Sequence, residues 1–270
     1  MAEKLLVFIP LYNCEKQIGR VLKSFDKFAP NYFDELLVID NCSTDKSLIQ
    51  ATEALKNIRY VSTTLIQNEK NIGLGGSHKV AFRYCIDNGF DYCIVLHGDD
   101  QGSIEDIIEI IENKEYRMYD SLLGARFAND SRLIGYSYFR RIGNKFFNYL
   151  TSALIGENIY DLGSGLNIYN CNFLNDNTYL DFDNDLTFNV FLLLYSIESN
   201  KRIKFFPLTW KEEDQISNSK VIRQGFKTLI LIFKFYSYGI NALRNRNLIT
   251  KSFLYSYKLI YKSQSESNKI

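Results

Sequence analysis

The chain has 270 residues, 46% hydrophobic and 23% charged, with a net charge of +1. That supplies a large core, excludes global disorder, and fits one large α/β domain or two small ones. Two histidines and five cysteines without CxxC spacing exclude a histidine-rich metal site and a thiolate zinc site, and the odd cysteine count points to a reducing cytosol rather than a disulfide framework.

Residues 4–10 (KLLVFIP) read as a buried strand ending at a proline, and Ile18, Val21, Leu22 and Phe25 as a helical stripe. Residues 34–40 (DELLVID) give a second strand, and 41–45 (NCSTD) a turn with N-cap chemistry leading into a helix through Leu55. A third strand is expected at 58–65, a glycine-rich loop at 71–76, a helix to Asn88 and a fourth strand at 91–96. A helix at 104–112 and a short strand at 121–124 follow. This alternation predicts a parallel sheet with crossover helices. The second half is less regular: a helix at 140–150, a loop at 161–165, an apolar helix at 185–199, a strand at 201–207 and a polar stretch at 210–220, expected to be mobile.

In open α/β sheets ligands bind at the C-terminal ends of the strands. Those ends here are residues 10–13, 40–45, 68–76 and 97–101, all polar or glycine-rich. The fourth strand runs straight into Asp99 and Asp100. Adjacent carboxylates repel unless a cation sits between them, although a solvated turn has the same composition. Residues 71–76 (NIGLGG) are not GxGxxG, so a dinucleotide-binding reading fails. Their glycines suit close backbone approach instead.

Charge is unevenly spread. Residues 220–270 carry ten Lys/Arg and one acid, Glu266, a balance of +9 against −8 for the rest. Phe226, Leu229, Ile230, Phe233, Tyr236, Ile240 and Leu243 share one helical face, and a second aromatic-basic segment spans 253–262. The most apolar stretch, 228–243, has 16 residues and is short for a membrane span. Such faces suit an interfacial helix on anionic lipid, or packing on the catalytic unit or a second subunit.

Taken in order, FIPLYN (8–13), LVIDNCSTD (37–45), NIGLGG (71–76), LHGDDQ (96–101), LGARF (123–127), DLGSG (161–165) and WKEEDQISNSK (210–220) resemble family 2 glycosyltransferases with the GT-A fold. The branch resembled is that of dolichyl-phosphate mannose synthase and bacterial polyprenyl-phosphate glycosyltransferases. The resemblance covers roughly residues 4–220. It implies an α/β GT-A fold with a mostly parallel sheet flanked by helices, a catalytic domain over 1–220, and a helical tail over 221–270. It implies an inverting transfer from a UDP- or GDP-sugar to a polyprenyl-phosphate or lipid-linked glycan, at the cytoplasmic face of the membrane. Relatives acting on saccharide hydroxyls leave that acceptor open, and a non-catalytic nucleotide-sugar binding module is a further alternative. No nucleic acid partner is expected, and a homodimer is possible through the tail.

The site implied by the resemblance is specific. Pro10, Tyr12, Asn13, Asp40 and Asn41 would hold the nucleoside, with Gly73 allowing close approach and Lys79 facing the phosphates or solvent. Asp99 would bind Mg²⁺ or Mn²⁺ on the diphosphate. The family's first metal-motif aspartate is replaced by His97, either a second ligand or a residue orienting the loop; imidazole suits Mn²⁺ better than Mg²⁺. Gln101 would touch the acceptor, and Arg126 and Arg140 would hold anionic groups, since guanidinium forks suit phosphate. A hydroxyl acceptor needs a general base, for which Asp185 and Asp161 are the candidates, whereas a phosphate acceptor is already ionised. Asp185 could equally cap a helix.

Overall fold

The computed structural model describes residues 3–27, 32–214, 221–244 and 255–265. It opens with β1 (Leu5–Leu11), α1 (Ile18–Ser24), β2 (Glu35–Asp40), α2 (Ser47–Leu55), β3 (Ser62–Asn68), α3 (Gly73–Asp87), β4 (Tyr92–Leu96) and α4 (Ile108–Glu112). Every residue of β1, β2 and β4 is buried, as expected of strands covered on both faces. Side chains alternate between two cores: Leu6 and Phe8 face one with Leu37 and Phe82, while Val7 and Ile9 face the other with Leu22 and Val38. The second half contains β5 (Ser121–Ala125), β6 (Arg132–Ile134), α5 (Tyr138–Ile155), β7 (Leu166–Asn170), α6 (Cys171–Leu174), α7 (Phe188–Glu198), β8 (Ile203–Pro207), β9 (Thr209–Lys211), α8 (Val221–Tyr238) and β10 (Tyr257–Ser263).

The main sheet has eight strands in the order β10-β3-β2-β1-β4-β7-β5-β8, and β6 pairs with β9 in a second sheet. β3, β2, β1 and β4 are mutually parallel, so their C-terminal ends share one edge. β7 runs antiparallel between β4 and β5, and β10 antiparallel to β3.

The expectation of one mostly parallel sheet with a helical tail is corrected on three counts. Two sheets are present, and half of the main one is mixed. Among the described residues of the tail, α8 and a short turn at Ile240–Leu243 are helical, and Tyr257–Ser263 forms β10 on the outer side of β3. Its 257–263 segment, read as a second amphipathic helix, is a strand because the β3 edge offers unpaired backbone groups that it satisfies. Trp210, placed by sequence in a mobile stretch, is buried in β9; residues 215–220 lie outside the described residues.

The tail's positive charge is partly consumed inside the molecule. Lys227 pairs with Asp183 and Asp185, and Arg244 with the buried Asp181 at 2.6 Å. The charge asymmetry along the chain is therefore in part a tertiary contact between its two halves. Arg246 and Lys251 fall outside the described residues.

Candidate functional site

The residues that follow β1, β2 and β4 converge. The Gly98 amide donates to the Pro10 carbonyl at 3.1 Å, joining the ends of β1 and β4. Asn13 accepts from the Thr44 amide at 2.8 Å, and its own amide donates to Ser43 Oγ at 3.0 Å, joining the ends of β1 and β2. Asp40 is fully buried and accepts from Gln67 Nε2 (2.9 Å) and the Ser43 amide (3.2 Å). Asn41 accepts from Asn68 Nδ2 and the Ile72 amide, both at 3.0 Å, and donates to Asn71 Oδ1 at 2.9 Å, fixing the entry to α3. The glycine-rich loop expected at 71–76 is thereby corrected: Gly73, Gly75 and Gly76 lie in the first turn of that helix. Asn13, Cys42 and Asp100 hold left-handed backbone at φ 53°, 61° and 60°, one after each of these strands. Non-glycine residues adopt that conformation at a cost, and it concentrates at functional turns.

Gly73 also has positive φ (77°), and a Cβ there would lie 2.3 Å from the Asn184 carbonyl oxygen. Its role is therefore contact with the 183–185 turn. Lys79, expected near phosphates or solvent, is instead 1% exposed. Its ammonium donates to the carbonyls of Leu180 (3.0 Å) and Phe182 and to Asn184 Oδ1 (2.7 Å). Burial lowers its pKa to about 8. The phosphate-facing expectation for Lys79 is corrected: its stem lies in the core, and its head satisfies carbonyls that would otherwise be unpaired.

Asp99 lies at the end of β4 and accepts from the Gln101 amide at 3.3 Å. Burial pushes its carboxyl up to about 6, with Asp100 and Glu212 adding repulsion. Asp100 itself is bonded by Arg20 Nε at 2.7 Å, and Arg20 also clasps Asp214 at 2.9 Å. Arg20 thus ties the acidic turn to the segment after β9, a link absent from the sequence reading because Arg20 reads as an ordinary polar-face residue of α1. Gln101 takes part in the same junction through its carbonyl, which accepts from the Lys211 amide at 2.9 Å.

His97 is packed against Gly165, where a Cβ would lie 2.9 Å from its Cγ. Its amide donates to the Gly165 carbonyl at 2.9 Å, bringing the 161–165 loop to the end of β4. Burial, reinforced by Arg126, lowers its pKa to about 4, so the ring is neutral. Its Nε2 is buried with no hydrogen-bond partner among the described residues. His78 lies behind it, ring centroids 6.2 Å apart, fully buried with its pKa lowered to about 3 by burial. His78 Nδ1 is hydrogen-bonded to the Leu74 carbonyl at 2.9 Å, and its ring sits between Phe8, Phe82 and Phe188.

The remaining expected groups are present but engaged. Arg126 donates to both carboxylate oxygens of Asp161 (2.7 and 2.8 Å) and to the Gly163 carbonyl (2.9 Å), with its guanidinium 5.1 Å from the Trp210 ring. Asp161 as a general base is corrected: it is 3% exposed and locked in a bidentate pair. Arg126 as an open anion holder is corrected for the same reason. Arg140 binds Glu212 at 2.7 and 2.8 Å and stacks 4.9 Å from Tyr136, so it too is committed to a carboxylate.

Asp185 accepts from the Thr187 amide at 2.9 Å and from Lys227. Burial pushes its carboxyl up, but the Lys227 and Thr187 bonds outweigh burial and hold it below the ordinary carboxylate range. The reverse shift is what a general base needs. Beside the Arg126–Asp161 pair lies a groove of about 580 Å³ between α5 and the 156–160 loop. Phe127, Lys145, Tyr149, Glu157 and Tyr160 line it.

Among the described residues no group of three or more His, Cys, Asp or Glu side chains is arranged to hold a metal. A cation here would take one carboxylate and one imidazole from the protein and the rest of its shell from a ligand or water, as Mg²⁺ commonly does.

Residues 6–177 match the model of the Glycosyl transferase family 2. A UDP-N-acetylglucosamine--dolichyl-phosphate N-acetylglucosaminyltransferase of Methanococcus voltae is 26% identical over 185 residues, covering 63% of this chain and 70% of that protein. TarS of S. aureus in complex with UDP-GlcNAc superposes with a TM-score of 0.58 at 23% identity, covering 85% and 65%. Glucosyl-3-phosphoglycerate synthase of Mycobacterium tuberculosis, in complex with Mn²⁺, UDP and phosphoglyceric acid, gives 0.63 at 17% identity, covering 86% and 78%. The matched stretch spans from 47% to 85% of the length of these curated relatives, 65% in one and 70% in another. The fold is α/β with two separate sheets, which corrects the expectation of a GT-A fold with one mostly parallel sheet flanked by helices.

Proposed function

Because the chain belongs to the Glycosyl transferase family 2, we propose that it moves a sugar from a nucleotide diphosphate sugar to a lipid-linked phosphate acceptor. The observation that carries this reading is the joined set of polar turns after three adjacent parallel strands, with Asp99 at its centre. Such an edge is where α/β sheets bind phosphate-bearing ligands.

Tyr12, Asn13, Asp40 and Asn41 hold the nucleoside in this proposal, on loops already fixed by the bonds described. Asp99 holds Mg²⁺ or Mn²⁺, with the neutral His97 as second ligand. A bound divalent cation would offset the charge that builds on the departing diphosphate. Arg126 and Asp161 act as a positioning pair that fixes the 161–165 loop against His97. The groove beside them receives the acceptor, with Lys145 as the cation for its phosphate and Tyr149 and Tyr160 as apolar walls.

The lowered carboxyl of Asp185 favours an acceptor that needs no proton removed, and so a phosphate over a saccharide hydroxyl. The relative named for dolichyl-phosphate transfer supports the same choice. The test is donor consumption with UDP- and GDP-sugars, polyprenyl phosphate and Mn²⁺. Turnover that requires the lipid phosphate is the expected result. Metal-dependent nucleotide binding without turnover of any donor would leave a binding module, and turnover only with saccharide acceptors would favour the hydroxyl reading.

A further inference from the structure

Helix α5 is unusual for a helix inside a folded unit. Of its 18 residues only Asn148 and Thr151 are buried. Tyr138, Ile142, Phe146 and Tyr149 recur at helical spacing along one side of it, and Phe139 is 85% exposed. Helix α8 packs beside it, with Gly225 so close that a Cβ would touch the Phe147 ring at 3.4 Å. α8 buries Leu231 and Ile232 and leaves Phe226, Ile230, Phe233 and Tyr236 exposed.

These two helices hold 36 residues of the chain but ten of the eighteen large apolar side chains exposed among the described residues. Scattered apolar residues are ordinary on a surface, whereas a concentration of this kind marks an interaction face. The two helices contain six Lys/Arg and no Asp or Glu. Arg140 and Lys227 are paired with acids, but Lys145, Arg223 and Lys234 are exposed and have no ion pair among the described residues. Among the described residues no helix is long and apolar enough to cross a membrane.

We propose that α5 and α8 together form a docking face for an anionic lipid bilayer, lying in the interface without crossing it. The aromatic rows enter the headgroup boundary and the unpaired cations meet lipid phosphates. Charge decides between lipid and a second copy of the chain. A self-complementary interface would bring the cations of one copy against those of the other, whereas an anionic membrane neutralises all of them. This replaces the sequence picture, in which both membrane segments lay in the tail. The second tail segment is a strand, and the partner of α8 comes from the middle of the chain. The face also places the mouth of the acceptor groove at the membrane, because Lys145 and Tyr149 belong to both.

The test needs neither sugar donor nor acceptor, so it is separate from the transfer reading. The full chain is sedimented with phosphatidylcholine vesicles with and without phosphatidylglycerol. Binding should require phosphatidylglycerol and weaken with salt. Replacing Phe139 and Phe146 on α5 by Ser, or separately Phe226 and Phe233 on α8, should each lower partitioning roughly tenfold or more, with unchanged circular dichroism. Full vesicle binding by the α5 variant would overturn the two-helix face. So would a dimer in solution that becomes monomeric in both variants while wild type ignores vesicles.

Discussion

At the C-terminal ends of β2 and β4, Asp40 and Asp99 accept hydrogen bonds from neutral amides. Beyond β5, Asp161, Asp181, Asp185 and Glu212 each meet an arginine or lysine. The same group does two jobs. A carboxylate bonded to a guanidinium is neutralised and holds two segments together. Asp99 is pushed up to about 6 by burial, with Asp100 and Glu212 adding repulsion, so a cation would favour its ionised form.

The sharpest break of this comparison is at the paired end. Asp161→Asn leaves Arg126 buried and half-bonded, and should cost about 3–5 kcal/mol of stability in denaturant unfolding. A loss of activity with unchanged stability would instead restore Asp161 as a base. At the other end, Asp99→Asn at neutral pH should hold or raise the unfolding midpoint and lower turnover roughly 10²–10³-fold. If it destabilises as Asp161→Asn does, the two ends are not different in kind.

Lys79→Met removes an ammonium from the carbonyls of Leu180 and Phe182, and should cost about 1–3 kcal/mol. The Michaelis constant for the donor should not change; a large rise would return Lys79 to the phosphates. The smallest effect belongs to Asp185→Asn, which with a phosphate acceptor should change turnover by less than roughly tenfold, whereas loss of a general base costs roughly 10²–10⁴-fold.

pH offers a further separation. The folded-state carboxyl of Asp99 lies near 6, above its ordinary 3.8, so the folded protein takes up a proton there that the unfolded chain does not. Without metal, this group's contribution to stability therefore falls as pH rises from 3.8 to 6 and is at its lowest above that. A metal ion competes with that proton, so Mn²⁺ affinity measured by calorimetry should weaken as pH drops below about 6. Asp99→Asn should abolish both the binding and this dependence.

The strands β1, β2 and β4 and the polar turns after them are legible in the sequence. Each is a short apolar run with its own local punctuation, and burial on both faces leaves a continuous hydrophobic signature. Residues 10–13, 40–45 and 97–101 follow from that order alone. The third strand, expected at 58–65, lies instead at Ser62–Asn68, because its sequence STTLIQN has only two apolar residues to mark it. The sequence could not assign partners to charges. Arg126 and Asp161 are 35 residues apart, Lys79 and Leu180 are 101 apart, and Arg20 and Asp214 are 194 apart. Periodicity reports that a position is buried or polar, and not what lies across from it. Only the folded chain shows that β10 closes on β3, that basic tail residues answer the acids at 181–185, and that α5 lies beside α8 with just two of its residues buried. Those choices depend on contacts between distant segments, where sheet edges and buried charges must be satisfied by whatever the topology brings near.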